Sequence, residues 1–469
     1  MRRLWLVILA AALICGGYLR FSALGAREMS DDEGSSLAAA AAPAIAEVIA
    51  LQKQLNPGKL AVHELLLHGW IAMFGQGLAA LRALSAALGT IAIVLVFWVA
   101  CELIAPPPEA TASGGYPADD RREIAAIAAL VFALNLVTIK YSREARMYPV
   151  MLAAMLAQAG FFVRASRRGG LVIYGGAAIF AILAVAANFT AALLPASEGL
   201  WLLYLISRSG FRPEAPESRR AWALLLALAA GGLAFLPILA PALAAAGAAV
   251  EHGAIGWIEP PPLWEPIALF NKATGSIAFP LLAAAAGVGA VRGWRRARDG
   301  VAFALVWMWA PPLLMMIASY AVRPIFVERY ALSCFAPFFI LGAIGIWSAG
   351  DIRARAIALA IVAAVSLGHV HSYNRKPHDA QWREAALLAS ANLRPGETMT
   401  AIPAYAIAVT RYYLPVPERD RARRATGESR EAAVVLLRDH GVAPRIRDAI
   451  RIDYPVVLGH LRGVWVLRR

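Results

Sequence analysis

Three consecutive acids, Asp31-Asp32-Glu33, follow the first long apolar run of this chain. Adjacent carboxylates repel one another, so at least one should titrate high unless a cation answers it. Such a group can act as a general base on an acceptor hydroxyl, or can position a metal or an amine. The plainer reading is a helix start, where the dipole favours acids. A second cluster, Ser142-Arg143-Glu144-Ala145-Arg146-Met147-Tyr148, sits at another apolar boundary. Read as one helical face, Arg143 and Arg146 could grip a phosphate. Snorkelling to lipid headgroups explains Lys140, but gives Glu144 nothing. Arg329-Tyr330 is a further phosphate candidate, against a plain interface Arg with a belt Tyr. If these clusters face one side, they make a polar site at the mouth of an apolar bundle. An enzyme joining a lipid-borne substrate to a water-side partner needs such a site.

Of the 469 residues, 60% are hydrophobic and 16% charged, and mean hydropathy is +0.59. That composition marks a polytopic membrane protein. The net charge of +14 sits mostly in short loops, so it signals orientation rather than nucleic acid. Cys15, Cys101 and Cys334 fall in or beside apolar runs and form no disulfide or metal spacing. The Met1-Arg2-Arg3 start reads as an uncleaved first span, because no small-residue cleavage site precedes the acids.

A membrane-crossing helix needs about 20 apolar residues, which gives about eleven spans. They fall at 4–24, 81–104, 124–139, 147–163, 171–187, 191–206, 221–243, 277–291, 301–321, 331–347 and 356–370. With the N-terminus cytoplasmic, Arg121, Arg122, Arg164, Arg167, Arg168, Arg208, Arg212, Arg219 and Arg220 fall inside. So do Arg292, Arg295, Arg296, Arg298, Arg353 and Arg355. Both charged clusters, a loop over 244–276 and the C-terminal tail then lie outside. Segments 44–56 and 60–74 read as amphipathic interface helices, with Trp70 as an anchor and His63, Glu64 and His68 on the second. The alternative makes 60–74 a short span and inverts every later loop. Residues 106–120 read as a disordered cytoplasmic loop. The expected division is a membrane domain over 1–370 and an outer α/β domain over 371–469. In the latter, 379–392 and 431–439 read as helices, and 398–402, 456–458 and 463–466 as strands. The spans hold almost no mid-membrane ionisable residue, which argues against a transporter.

Several motifs now carry a resemblance. They are the Asp-Glu after the first span, Leu65-Leu66-Leu67-His68-x-Trp70, Ser142-x-Glu144-Ala145-Arg146-Met147-Tyr148 and Arg329-Tyr330. Together they resemble bacterial GT-C-fold integral-membrane glycosyltransferases, related to protein O-mannosyltransferases (glycosyltransferase family 39) and the aminoarabinose transferase. The tail adds Trp382-Arg383-Glu384-Ala385-Ala386, Pro395-Gly396 and Arg411-Tyr412-Tyr413-Leu414-Pro415, similar to the outer domain of that family. The likeness implies an all-α bundle with outer interface helices and a small α/β domain in a bacterial inner membrane. It implies sugar transfer from a polyprenyl-phosphate donor to a lipid, glycan or protein acceptor on the extracytoplasmic face. By resemblance Asp32, or Asp31, is the base and Glu33 supports it. Arg143, Arg146 and Arg329 hold the lipid phosphate, with Glu144 and Tyr148 orienting them. Tyr330, Lys59 and His63 complete the candidate substrate set. The family's His-Pro-Pro-Leu-Tyr-Tyr run is replaced here by Lys59-Leu60-Ala61-Val62-His63-Glu64. No cofactor is implied, although Asp32 and Glu144 could share a divalent ion. An oligosaccharide ligase or phosphotransferase remains the alternative enzyme.

Overall fold

The computed structural model describes residues 3–106, 115–212, 214–251, 256, 258–375, 380–424, 432–439, 442 and 444–469. Positions 107–114, Asp379 and Glu431, which the sequence expectations touched, lie outside that set. The chain opens with α1 (Leu4–Phe21), a helix with apolar residues on every side. Its Val7 and Ile14 are 66% and 71% exposed, as lipid-facing side chains are. Ser30 then starts α2 (Asp31–Ala40) through a capping box: its hydroxyl accepts the Glu33 N–H, and Glu33 reaches back to the Ser30 N–H. The short helices α3 (Ile45–Leu55) and α4 (Val62–Phe74) follow, at the positions read as interface helices.

The bundle continues through α5 (Leu78–Leu103), α6 (Ala118–Leu134), α7 (Leu136–Ser142), α8 (Tyr148–Arg168) and α9 (Leu171–Ala187). It closes with α10 (Leu193–Arg208), α11 (Pro216–Glu251), α12 (Glu265–Thr274), α13 (Ala278–Trp294), α14 (Arg298–Ala321), α15 (Phe335–Trp347) and α16 (Ile352–Arg375). Among the described residues, eight helices are long and apolar enough to cross a membrane, or up to ten if two bent pairs each count as one span. The 17-residue α9 is a further, shorter apolar helix.

Three expectations change. The 124–139 run is not one straight helix: α6 and α7 meet at 62°. Asn135 causes the break, because its side chain caps the Val137 N–H at 3.0 Å. Buried Arg20 answers the freed backbone, donating to the Ala133 carbonyl at 2.8 Å and to Thr138 at 3.0 Å. The 106–120 loop ends early, since α6 begins at Ala118. The 244–276 loop is largely helical among its described residues, taken up by the end of α11 and by α12, which meets α13 at 112°. Glu198 is buried near the middle of the Phe189–Arg208 span, one ionisable side chain away from the helix ends, whereas the buried Arg20, Arg82 and Glu102 lie close to the ends of α1 and α5.

After α16 come α17 (Trp382–Ala391), β1 (Met399–Ile402), α18 (Ile407–Tyr413), β2 (Val434–Arg438), α19 (Pro444–Asp453), β3 (Val456–Leu461) and β4 (Val464–Arg468). The sheet order is β1-β2-β4-β3, with β1 and β2 parallel and the other pairs antiparallel. The helix expected over 431–439 is therefore the strand β2. Val434-Val435-Leu436-Leu437 is buried on both faces, as a central strand requires. This small α/β unit is not separate from α2. Leu37, Leu67 and Leu81 share one apolar core with Trp382, Val409, Val434 and Val464. Gly34 permits the closest approach: a Cβ there would lie 2.7 Å from the Val409 nitrogen.

Candidate active site

Glu33 is the residue around which the site is assembled. It is 2% exposed, and both oxygens receive Arg82, at 2.7 Å from Nε and 2.8 Å from Nη2. Arg82 also binds the carbonyls of Leu24, Arg27 and Glu28 at 2.7, 2.9 and 2.8 Å. The chain between α1 and α2 is thus tied to the start of α5. Glu33 also accepts the Ala145 N–H at 2.9 Å, which fastens the 143–147 turn to α2. Burial acts to raise the Glu33 carboxyl, but Arg82 and the two N–H donors hold it below its usual value.

That turn separates the two arginines read as a pair. Residues 143–147 are not helical, so Arg143 and Arg146 share no helical face. Arg143 points back to Leu19 O at 2.7 Å, Ser22 at 3.0 Å and Asn374 at 2.8 Å. Arg146, 3% exposed, turns to α2, donating to the Asp32 carbonyl at 2.8 Å and pairing with its carboxylate at 3.5 Å. Tyr148 hydrogen-bonds Arg146 and lies under Arg329, whose guanidinium is 6.0 Å from the ring centre. Tyr330 flanks Arg329 at 5.7 Å.

A cavity of about 530 Å³ joins these groups. Asp31, Asp32 and Glu33 line it with Lys140, Arg143, Glu144 and Arg329, so both sequence clusters face one space. Arg146, Tyr148, Tyr330, Lys59 and His63 stand outside the lining. Lys59 is close enough for its charge to act on Asp32. His63 is 1% exposed, and burial pushes its imidazole below the ordinary value.

The acids differ in environment. The Asp32 side chain is 41% exposed. Desolvation would raise its carboxyl, but Arg146, then Lys59 and Arg329, hold it down at about 2. Asp31 is 3% exposed, and burial, then the charge of Asp32, lifts it to about 6. Arg438, from β2, answers it at 2.6 Å and also meets the Tyr405 hydroxyl. Burial lifts Glu144 to about 7. Lys59 is pulled down to about 8 by burial and then by Arg146. Among the described residues no three His, Cys, Asp or Glu side chains converge as a metal-ligand set.

A raised carboxyl makes the folded state hold its proton more tightly than the unfolded one. The ionised Asp31 therefore weighs against the fold above about pH 6, and the penalty fades as pH falls toward the ordinary 3.8. Asp31→Asn is expected to melt higher than wild type at pH 8, with the gap narrowing by pH 5 and gone by about pH 4. Thermal melts across that range check it; a gap that widens toward acid would contradict the assignment.

Arg82, Arg438, Tyr405 and Arg20 are absent from the sequence-derived set. Arg82 and Arg20 do carry a signal, a cation inside an apolar helix. Arg438 and Tyr405 carry none.

The apolar helix bundle and the small C-terminal α/β unit together define the class: an integral membrane protein of GT-C-like fold. Solved structures share that architecture. ArnT from Cupriavidus metallidurans bound to undecaprenyl phosphate superposes with a TM-score of 0.59 at 13% identity, covering 99% of this chain and 98% of that one. Its apo form gives 0.58 at 12%, over 98% and 97%. The Archaeoglobus fulgidus oligosaccharyltransferase, in complex with Zn and sulfate, gives 0.56 at 13%, over 92% of this chain and 68% of that one. No protein-family profile and no curated protein matches the sequence.

Proposed function

We propose that this protein is a glycosyltransferase that moves a sugar from a polyprenyl-phosphate donor to an acceptor at the extracytoplasmic face of a bacterial inner membrane. The observation that carries this is the shared cavity, with an accessible carboxylate, Asp32, set among Arg146, Arg329 and Lys59. Burial, and then the charge of Arg146, depresses Lys59, and a phosphate bound beside it would favour its charged form. The likeness to ArnT in its undecaprenyl phosphate complex supports the same donor chemistry. The arginine-rich loops support a cytoplasmic N-terminus and an extracytoplasmic α/β unit.

In this reading the acceptor hydroxyl attacks the anomeric carbon of the sugar. The bond from that carbon to the phosphate oxygen breaks, and the lipid phosphate leaves with the electron pair. Arg329, Arg146 and Lys59 stabilise the charge that develops on it. Asp32 takes the hydroxyl proton. Held at about 2 it is a poor base in the empty site. A bound phosphate competes for the same cations and so releases their hold on Asp32. Glu33 positions the 143–147 turn against α2, and Arg143 ties that turn to the end of α1 and to Asn374.

The test is sugar release from a panel of radiolabelled polyprenyl-phosphate sugars by protein in lipid nanodiscs. Wild type should consume one donor. Arg329→Gln should slow that roughly 100-fold, the scale of one lost charge-stabilising donor. Consumption of no donor, or an unimpaired variant, would remove the transferase reading.

A further inference from the structure

A second cavity of about 610 Å³ lies among the ends of α8, α10, α11 and α14, away from the acids of α2. Five arginines line it, Arg167, Arg208, Arg220, Arg296 and Arg298, against two acids, Glu217 and Asp299. The acids are engaged: Arg208 pairs with Glu217 and binds Asp299 at 2.8 Å. Arg167 is answered in turn by Glu102 at 3.7 Å, so the five arginines less these three acids leave a net charge of +2 at the wall. Two helices also begin here. Pro216 and Glu217 open α11, and Arg298, Asp299 and Gly300 open α14, so N-terminal N–H groups add to the positive field.

The rest of the lining is apolar. Phe162, Trp201 and Phe303 pack together, Phe162 stacked on Phe303 with ring centres 5.0 Å apart and Trp201 tilted against Phe303 at 5.9 Å. Two of the helices that line the cavity also carry exposed apolar side chains, as lipid-facing helices do: Leu203 on α10 is 51% exposed and Leu226 on α11 is 64% exposed. A cationic rim over an aromatic floor, between helices in contact with lipid, suits a ligand with an anionic head and a hydrocarbon tail. A free anion would leave the floor wet, and a zwitterionic head would leave the rim unanswered.

We infer that this cavity binds an anionic phospholipid of the cytoplasmic leaflet, its phosphate on the arginine rim and an acyl chain against Phe162, Trp201 and Phe303. The arginine distribution places this end on the cytoplasmic side. The site is separate from the proposed transfer reaction and does not depend on it.

Native mass spectrometry of the full chain, delipidated in a neutral detergent, tests this. Phosphatidylglycerol and phosphatidylcholine of equal chain length are titrated separately, with inorganic phosphate as competitor. Phosphatidylglycerol should bind first and at one site. Arg220→Gln/Arg298→Gln should weaken it roughly tenfold or more, since each cation near a headgroup contributes on the order of 1 kcal/mol. Arg220→Lys/Arg298→Lys should restore most of it. Arg329→Gln, which removes a cation from the outer cavity and none from this one, should bind as wild type does, which separates this site from the outer cavity. Equal retention of phosphatidylcholine, displacement of the lipid by millimolar inorganic phosphate, or unchanged binding by the glutamine pair would each overturn the inference. Should the glutamine pair not fold, the headgroup comparison on wild type still decides.

Discussion

Asp32→Asn is expected to give a folded protein that consumes donor roughly 100- to 10,000-fold more slowly, the range for loss of a positioned general base. The substitution is close to isosteric, so no large cavity is created, and the carboxylate that Arg146 loses is 41% exposed, so solvent screens that pairing. Arg146 keeps its 2.8 Å bond to the Asp32 carbonyl, which the variant retains. Stability should therefore change by about 1 kcal/mol or less. Donor affinity should hold or tighten, because removing the carboxylate leaves Arg146 and Lys59 more available to a phosphate. The informative pattern is a lost rate with retained binding, measured by turnover and by donor binding in the same nanodiscs. A variant with normal turnover would move the base to Asp31, and Asp31→Asn would then show the collapse. Loss of binding together with rate would instead make Asp32 a binding group.

Much of this arrangement is legible in the sequence because each signal is local. Leu171–Ala187 appears with the boundaries its apolar run suggests, since nothing polar interrupts it. The two charged clusters are visible as breaks in hydropathy, and their placement on one cavity follows from alternating crossings. Most of what escaped depends on long-range partners, and the rest on a cap that hydropathy does not register. The Asn135 break sits in a run that reads as continuous, because capping by one Asn side chain leaves hydropathy unchanged. The β2 strand looks helical because its apolar run is short, and only β1 and β4 on either side make it a central strand. Arg143 and Arg146 seem paired by spacing alone. The Glu33 bond to Ala145 holds that segment as a turn and sends the two guanidinium groups to different elements. Arg438 lies 407 residues from Asp31, and no local pattern brings them together.

The same long-range logic sets the largest expected loss of stability, at Arg82. Arg82→Leu should destabilise the protein by about 3–5 kcal/mol, the usual cost of leaving one member of a buried ion pair unanswered. Here the orphan would be Glu33, 2% exposed, and three backbone carbonyls would lose their donors as well. Glu33→Leu alone should be comparably damaging, because it strands Arg82. The double variant Arg82→Leu/Glu33→Leu should cost clearly less than the sum, since neither charge is then buried alone. Its stability and its activity should separate. Without Glu33 the Ala145 N–H loses its acceptor and Ser30 loses half of its capping box, so the 143–147 turn is no longer fastened to α2. Arg146 then loses its fixed approach to Asp32, and turnover should stay low even where folding recovers. Chemical denaturation in detergent and donor turnover, run on all three variants, measure both quantities. Additive stability losses would show that the two residues do not act as a pair, and recovered turnover in the double variant would show that the turn does not need its tie to α2.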